Sequence, residues 1–304
     1  RVFLDIKFQP EIIIENVSPE LVERVGDRAL NNLIFHLGLM EIPSYWKATC
    51  SSVIEIKAGY LNKEQIKWWK DLMMNGMGQF FYENKIDFRK PNFLKIKPPT
   101  YQSDSNDKHI GLFSKKLPEK TLVPVGGGKD SAVTLESLKE ARKNINCFSL
   151  NPTEAAEKIM KMASTGSPQV VGCQNPIIVR RKIDERLLEL NRKGFLNGHT
   201  PFSAYLAFLS VLVAVLFDYK YIAFSNERSS NEGNLKYLGK TINHQWSKSF
   251  EFEEKFREYS KKYLAKNVEY FSFLRPLYEI QVAKLFSKYP KYLNAFLSCN
   301  EAYK

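Results

Sequence analysis

The stretch from Thr121 to Leu138 constrains the fold most, because an apolar strand pattern runs into three glycines and then straight into a helical pattern. Gly126, Gly127 and Gly128 let the backbone turn sharply with no Cβ in the way. Consecutive N–H groups and the positive end of the following helix can then face an anion. Lys129 and Ser131 add side-chain donors to what reads as a phosphate site. It is not a Walker A loop, which needs a Gly five residues before the Gly-Lys pair and a Ser or Thr after it; here those positions hold Val123 and Asp130.

The core of the stretch, Gly127-Gly-Lys-Asp-Ser131, resembles the PP-loop of the ATP pyrophosphatase group, usually written Ser-Gly-Gly-x-Asp-Ser, with Gly126 in place of the usual Ser. The resemblance implies cleavage of ATP between its α and β phosphates, with AMP left on an oxygen of the substrate while the loop holds pyrophosphate. The competing reading is a glycine-rich structural turn.

Beyond Ser131, strand-like runs at 145–150, 169–171 and 221–225 alternate with helical patterns at 153–163, 183–193 and 202–217. Such alternation argues for an α/β fold with a parallel sheet wrapped by helices, and places ligands at the carboxyl ends of the strands. Before the glycines, residues 1–14 read as one or two strands. A helix opens at Ser18-Pro19 with Gly38 as its stop, and a second helix from Asn62 carries the core stripe Ile66, Trp69, Met73, Met77 and Phe80. Pro, Asn, Asp and Ser then dominate. This composition divides the chain into an N-terminal α/β region at 1–95, a linker or mobile loop at 96–118 and a PP-loop domain at 119–304.

A net charge of +12 on 304 residues suits acidic ligands, among them nucleic acid, an anionic membrane surface or a phosphorylated small molecule. Cys50, Cys147, Cys173 and Cys299 are widely spaced and form no zinc-like cluster, which suggests a reducing, cytoplasmic setting. The longest apolar run, 202–217, is too short to span a bilayer and reads as a buried helix.

Two polar stretches fall at strand ends. In Asn197-Gly-His-Thr-Pro-Phe202, Thr200 can cap the apolar helix and His199 stands just before it, whereas His36, His109 and His244 lack comparable surroundings. In Ser225-Asn-Glu-Arg-Ser-Ser-Asn-Glu-Gly-Asn234, the side chains of Asn226, Glu227, Asn231 and Glu232 can bind a metal, a ribose or an amino-acid group, or form a solvated loop. Arg180 and Arg181 can hold phosphate or carboxylate, although a basic run is most often a solvated face.

Taken together, the glycine loop, Asn197-Gly-His-Thr-Pro-Phe-Ser203, the polar loop, Glu64-Gln-Ile-Lys-Trp-Trp-Lys-Asp-Leu72 and Gly76-Met-Gly-Gln-Phe-Phe-Tyr82 resemble the MurL family of UDP-N-acetylmuramoyl-L-alanyl-L-glutamate epimerases. The resemblance implies ATP- and magnesium-dependent inversion of the terminal L-glutamate of a peptidoglycan precursor, releasing AMP and diphosphate. The expected partner is the UDP-linked precursor, with neither membrane nor nucleic acid expected, although a PP-loop enzyme modifying tRNA remains the alternative. On this reading Gly126 to Ser131 hold the nucleotide and Asp130 and Glu227 place magnesium. Arg180, Arg181, Asn226, Asn231 and Glu232 contact substrate. His199 or Glu227 takes the Cα proton, with Cys147 and Cys173 as candidate partners on the other face.

Overall fold

The computed structural model of the protein describes residues 5–99, 111–164 and 172–298. His109, Cys299 and the strand expected at 169–171 lie outside the described residues. The first third contains β1 (Glu11–Ile14), α1 (Pro19–Val25), α2 (Asp27–Trp46), β2 (Val53–Glu55), α3 (Lys63–Gly76), α4 (Gly78–Glu83) and β3 (Lys95–Lys97). Then follow β4 (Thr121–Pro124), α5 (Lys129–Glu140), β5 (Ile145–Leu150), α6 (Glu154–Ser164), β6 (Ile177–Lys182), α7 (Glu185–Arg192), α8 (Phe202–Leu216) and β7 (Tyr221–Phe224). The chain continues through the β8 (Leu235–Tyr237) and β9 (Lys240–Ile242) hairpin to α9 (Phe250–Tyr263), β10 (Glu269–Ser272) and α10 (Glu279–Phe286).

Six strands form one sheet in the order β1-β6-β5-β4-β7-β10, parallel throughout except for β1, which runs antiparallel to β6. Neighbouring residues on a strand face opposite ways, and the core divides accordingly. Leu122, Phe148 and Ile222 join the cluster that includes Leu33 and Leu37 of α2, much of α8 and Phe252 and Phe256 of α9. Val123, Cys147 and Ala223 face a second cluster built with α5, α6 and α10. The structure is thus the helix-wrapped, mostly parallel α/β sheet that the alternating patterns predict. Among the described residues, no helix is long and apolar enough to cross a membrane. The apolar α8 is instead buried almost all round, between the sheet and α2.

Residues 1–95 are shared out in space. β1 supplies the sheet edge and α2 packs on α8, while β2 pairs in parallel with β3 in a separate two-stranded sheet. Within 96–118, Phe113 is buried and bridges Ala265, while residues 100–110 lie outside the described ones. The helix expected to end at Gly38 instead breaks at Gly26, whose φ is +85°, and resumes as α2 through Gly38 and Pro43 to Trp46. A helical Gly costs about 1 kcal/mol. Burial of Leu37, Leu39 and Met40 beside it outweighs that cost, at roughly 1.5–3 kcal/mol for each large side chain. The stripe from Trp69 to Phe80 is core, as its spacing predicts, with Trp69, Met73, Met77 and Phe80 all buried.

The chain winds outward from β4 through β5 to β6, then returns to place β7 on the other side of β4. The connections therefore diverge between β4 and β7, which opens a crevice at their carboxyl ends. The glycine loop leaves β4 there and the polar loop leaves β7.

Candidate active site

A cavity of about 500 Å³ fills this crevice. Gly126, Gly128, Lys129 and Asp130 line one wall and Ser149 to Thr153 at the end of β5 another. Ser225, Asn226 and Glu227 close the third side, with Gln245, Lys248, Glu279, Phe202, Leu297 and Ser298 around the mouth. Gly127 has φ +95°, and a Cβ there would lie 2.8 Å from the backbone nitrogen of Ala156, so only glycine fits without movement. The N–H groups of Gly126, Gly127 and Gly128 make no hydrogen bond among the described residues. Unpaired backbone donors ahead of a twelve-residue helix are the geometry of an anion site.

The side chains of the loop divide by what they already bind. Ser131 donates its proton to the carbonyl of Gly128 (2.9 Å) and does not line the cavity, so it fastens the helix start. Lys129 Nζ lies 3.1 Å from both Asp130 Oδ1 and Glu279 Oε1; burial opposes its charge, but the two carboxylates more than offset this and raise its pKa. Asp130 is raised from the ordinary carboxylate range, first by burial and further by Glu227, although Lys129 and Lys248 oppose the shift. Beyond the ion pair with Lys129, Asp130 Oδ1 is buried and has no hydrogen-bond partner among the described residues. A buried carboxylate oxygen short of hydrogen bonds and repelled by a second carboxylate fits a divalent cation, which would relieve both the repulsion and the missing contact.

The polar loop is buried at Asn226 and Ser230 and exposed from Asn231 to Asn234. Its middle forms a short 3-10 turn, Arg228–Asn231, clamped by Arg275, which donates to the Glu227 carbonyl (2.9 Å), Ser230 Oγ (2.9 Å) and the Lys248 carbonyl (2.6 Å). Arg275 also pairs with the buried Glu253 (3.1 Å). Asn226 is buried, lines the cavity and donates to Ser272. Glu227 caps the turn through Ser229 N–H and faces the cavity. Asn231 accepts from Phe250 N–H (2.7 Å) and donates to the Arg228 carbonyl, so it braces the loop outside the cavity; Glu232 is exposed and outside it as well.

The arginines on β6 are not brought to the crevice either. Arg180 pairs with Glu15 of the edge region. Arg181 makes a two-pronged pair with Glu41 (2.8 and 2.5 Å), both side chains 8% exposed, and its guanidinium lies 4.6 Å from the Tyr205 ring. With its donors engaged in a buried pair, Arg181 ties α2 and α8 to the sheet. Cys147 and Cys173 form a disulfide inside the core under α5 and α6, which removes both as thiols able to move a proton.

His199 is half-buried, beside rather than in the cavity wall, and makes no hydrogen bond among the described residues. Burial, then the neighbouring His244, push its pKa down, with Lys248 and Lys47 adding to the shift and Glu83 opposing it. Its ring lies 6.4 Å from that of His244, the histidine whose sequence surroundings had offered nothing. Lys248, which lines the cavity, acts electrostatically on both Asp130 and His199. Gln245, Lys248, Glu279 and Ser298 were missed from sequence because the segment after the polar loop carries no glycine motif. Thr153, which accepts from Ala156 N–H as the cap of α6, was legible only as a helix start.

The chain matches the family model described as MurL N-terminal domain over residues 4–273. It is 31% identical over 296 residues to a UDP-N-acetyl-alpha-D-muramoyl-L-alanyl-L-glutamate epimerase of Xanthomonas oryzae pv. oryzae, covering 93% of this chain and 62% of that protein. The epimerase of the same name from a Micromonospora species is 33% identical over 237 residues, 75% of this chain and 48% of the relative. That of Salinispora tropica is 31% identical over 287 residues, 94% and 59% respectively. The chain thus spans about half to three-fifths of these relatives. Among solved structures, a predicted subunit of tRNA methyltransferase from Methanocaldococcus jannaschii aligns over 56% of this chain and 75% of that one, at 16% identity and a TM-score of 0.33, too distant a likeness to carry an argument.

Proposed function

Because the chain belongs to the MurL family, we propose that it is an ATP-dependent epimerase acting in the cytoplasm on UDP-N-acetylmuramoyl-L-alanyl-L-glutamate and inverting the terminal L-glutamate to D-glutamate. The observation that carries the ATP-dependent part is the meeting, in one cavity, of Gly126 and Gly128, whose backbone N–H groups make no hydrogen bond among the described residues, with an Asp130 oxygen that likewise has no hydrogen-bond partner among them.

The chemistry explains the need for ATP. A Cα–H beside an ionised carboxylate is very hard to remove, because the resulting dianion has nowhere to place its second charge. When a carboxylate oxygen of the substrate attacks the α phosphorus and the bond to the bridging oxygen breaks, pyrophosphate leaves. The carboxylate has then become the uncharged acyl group of an acyl adenylate, and a Cα carbanion can delocalise into it. Gly126 to Gly128 and Lys129 would receive the developing pyrophosphate charge from positions already fixed by the fold. Asp130 and Glu227 would hold magnesium, which supplies positive charge against the leaving group. His199, with a lowered pKa, is neutral near pH 7 and suited to accept the Cα proton, with Glu227 as the second choice. Return of a proton from the other face inverts the centre. Hydrolysis of the adenylate releases AMP and makes the reaction one-way.

The test is direct. With ATP, magnesium and the L-Ala-L-Glu precursor, the protein should yield the D-Glu product with AMP in step. ADP in place of AMP, or AMP formed only with tRNA, would refute the reading.

A further inference from the structure

The phosphate loop is completed by a residue from the far end of the described chain. Ser298 Oγ accepts a hydrogen bond from the backbone N–H of Lys129, the first residue of α5, at 3.1 Å. Leu297 N–H donates to the carbonyl of Gly127 at 2.8 Å, and both residues line the cavity. This segment is anchored rather than loose. Tyr292 is fully buried and donates to Glu136 on α5 (2.5 Å), Ala295 is buried, and Phe296 meets Phe286 of α10 edge to face at 4.7 Å.

A hydroxyl that accepts from one donor keeps its own proton. Ser298 is exposed to the cavity and donates to nothing among the described residues, so its O–H is free beside the free N–H groups of the glycine loop. Gly126, where the resembling motif has serine, contributes no hydroxyl, yet a Cβ there would meet nothing within 4 Å. Sterics therefore do not account for the glycine. We propose that Ser298 is a diphosphate-binding residue of this site, its hydroxyl relaying from Lys129 N–H to a phosphate oxygen and supplying the side-chain donor that Gly126 lacks. The inference rests on the nucleotide reading above, but names a residue that the reading does not require.

The experiment titrates wild type, Ser298→Ala, Ser298→Thr and the Ser298→Ala/Gly126→Ser double variant with ATP, inorganic pyrophosphate and AMP, by calorimetry. Losing a hydrogen bond to a charged oxygen should weaken ATP and pyrophosphate by roughly ten-fold in Ser298→Ala, while AMP binding stays unchanged. Ser298→Thr and the double variant should regain most of that loss. Unchanged pyrophosphate affinity in Ser298→Ala would overturn the assignment. Tighter binding would overturn it too, because Ser298 would then be an obstruction that ligand displaces. Should wild type bind none of the three ligands, the nucleotide reading falls and this assignment with it. A wild type that binds ATP beside an indifferent Ser298→Ala refutes only the assignment.

Discussion

Two loops leave neighbouring strands at the same crevice and differ in how their polar groups are used. The glycine loop after β4 leaves the N–H groups of Gly126, Gly127 and Gly128 and one oxygen of Asp130 without hydrogen-bond partners among the described residues. The loop after β7 is far richer in polar side chains, yet Ser230 is taken up by the clamp around Arg275, Asn231 by the start of α9, and Ser229 Oγ by the N–H of Glu279 at the start of α10. Only Asn226 and Glu227 of that stretch face the cavity through polar side chains that the sequence had singled out. The contrast teaches that a site is made by groups the fold leaves free, and polar density alone does not reveal them.

The contrast breaks most visibly at Arg275. Replacing it by Ala strands Glu253, whose side chain is 5% exposed, as a buried unpaired charge, which costs about 3–5 kcal/mol. Denaturant unfolding should show that loss, and with it loosening of Glu227. A change under 1 kcal/mol would mean that the polar loop is not held by this clamp.

How much was legible follows the same division. The glycine loop was readable because backbone geometry is written in glycine, and β5, α6 and α8 because their apolar periods match their burial. Arg181 looked like an anion site and proved to be half of a buried pair, because its partner Glu41 lies 140 positions earlier in the chain. Lys248, Glu279 and Ser298 reach the cavity only through tertiary folding. No local pattern marks such residues. The two histidines at 199 and 244 met for the same reason.

A second break is at Gly127. Alanine there needs a positive φ and displaces the start of α6, for roughly 1–3 kcal/mol of strain. The variant should lose ATP binding more than it loses stability; full ATP affinity would remove the loop geometry from the site.

Histidines sharpen the comparison through pH. His36 is fully buried with both ring nitrogens in hydrogen bonds, to Asn32 and Tyr259, and its pKa is pushed down to about 4 by burial. The unfolded chain takes up its proton near pH 6.5 and the folded one refuses it until about 4, so stability falls as pH drops through that window. Between pH 7 and pH 5 the loss from this group should be about 2 kcal/mol, read by urea unfolding and reduced in a His36→Gln variant. His199, with no hydrogen bond among the described residues, should govern activity instead: His199→Ala in heavy water should form adenylate but exchange deuterium into Cα far more slowly.

The smallest expected effect is at Glu232, exposed and outside the cavity. Glu232→Ala should change stability by less than about 0.5 kcal/mol and leave AMP release unaltered. A large loss of activity would show that the polar loop reaches substrate beyond Glu227.

The measurement that bears most directly on the central claim is substrate-dependent release of AMP and pyrophosphate by wild type and Asp130→Ala, with thermal unfolding followed in parallel. If the free groups of the glycine loop are the site of ATP cleavage, Asp130→Ala should lose release by roughly 100-fold or more, as when a positioned charge-stabilising group is removed, while unfolding at or near the wild-type temperature. Release at the wild-type rate in a folded Asp130→Ala protein would contradict the account.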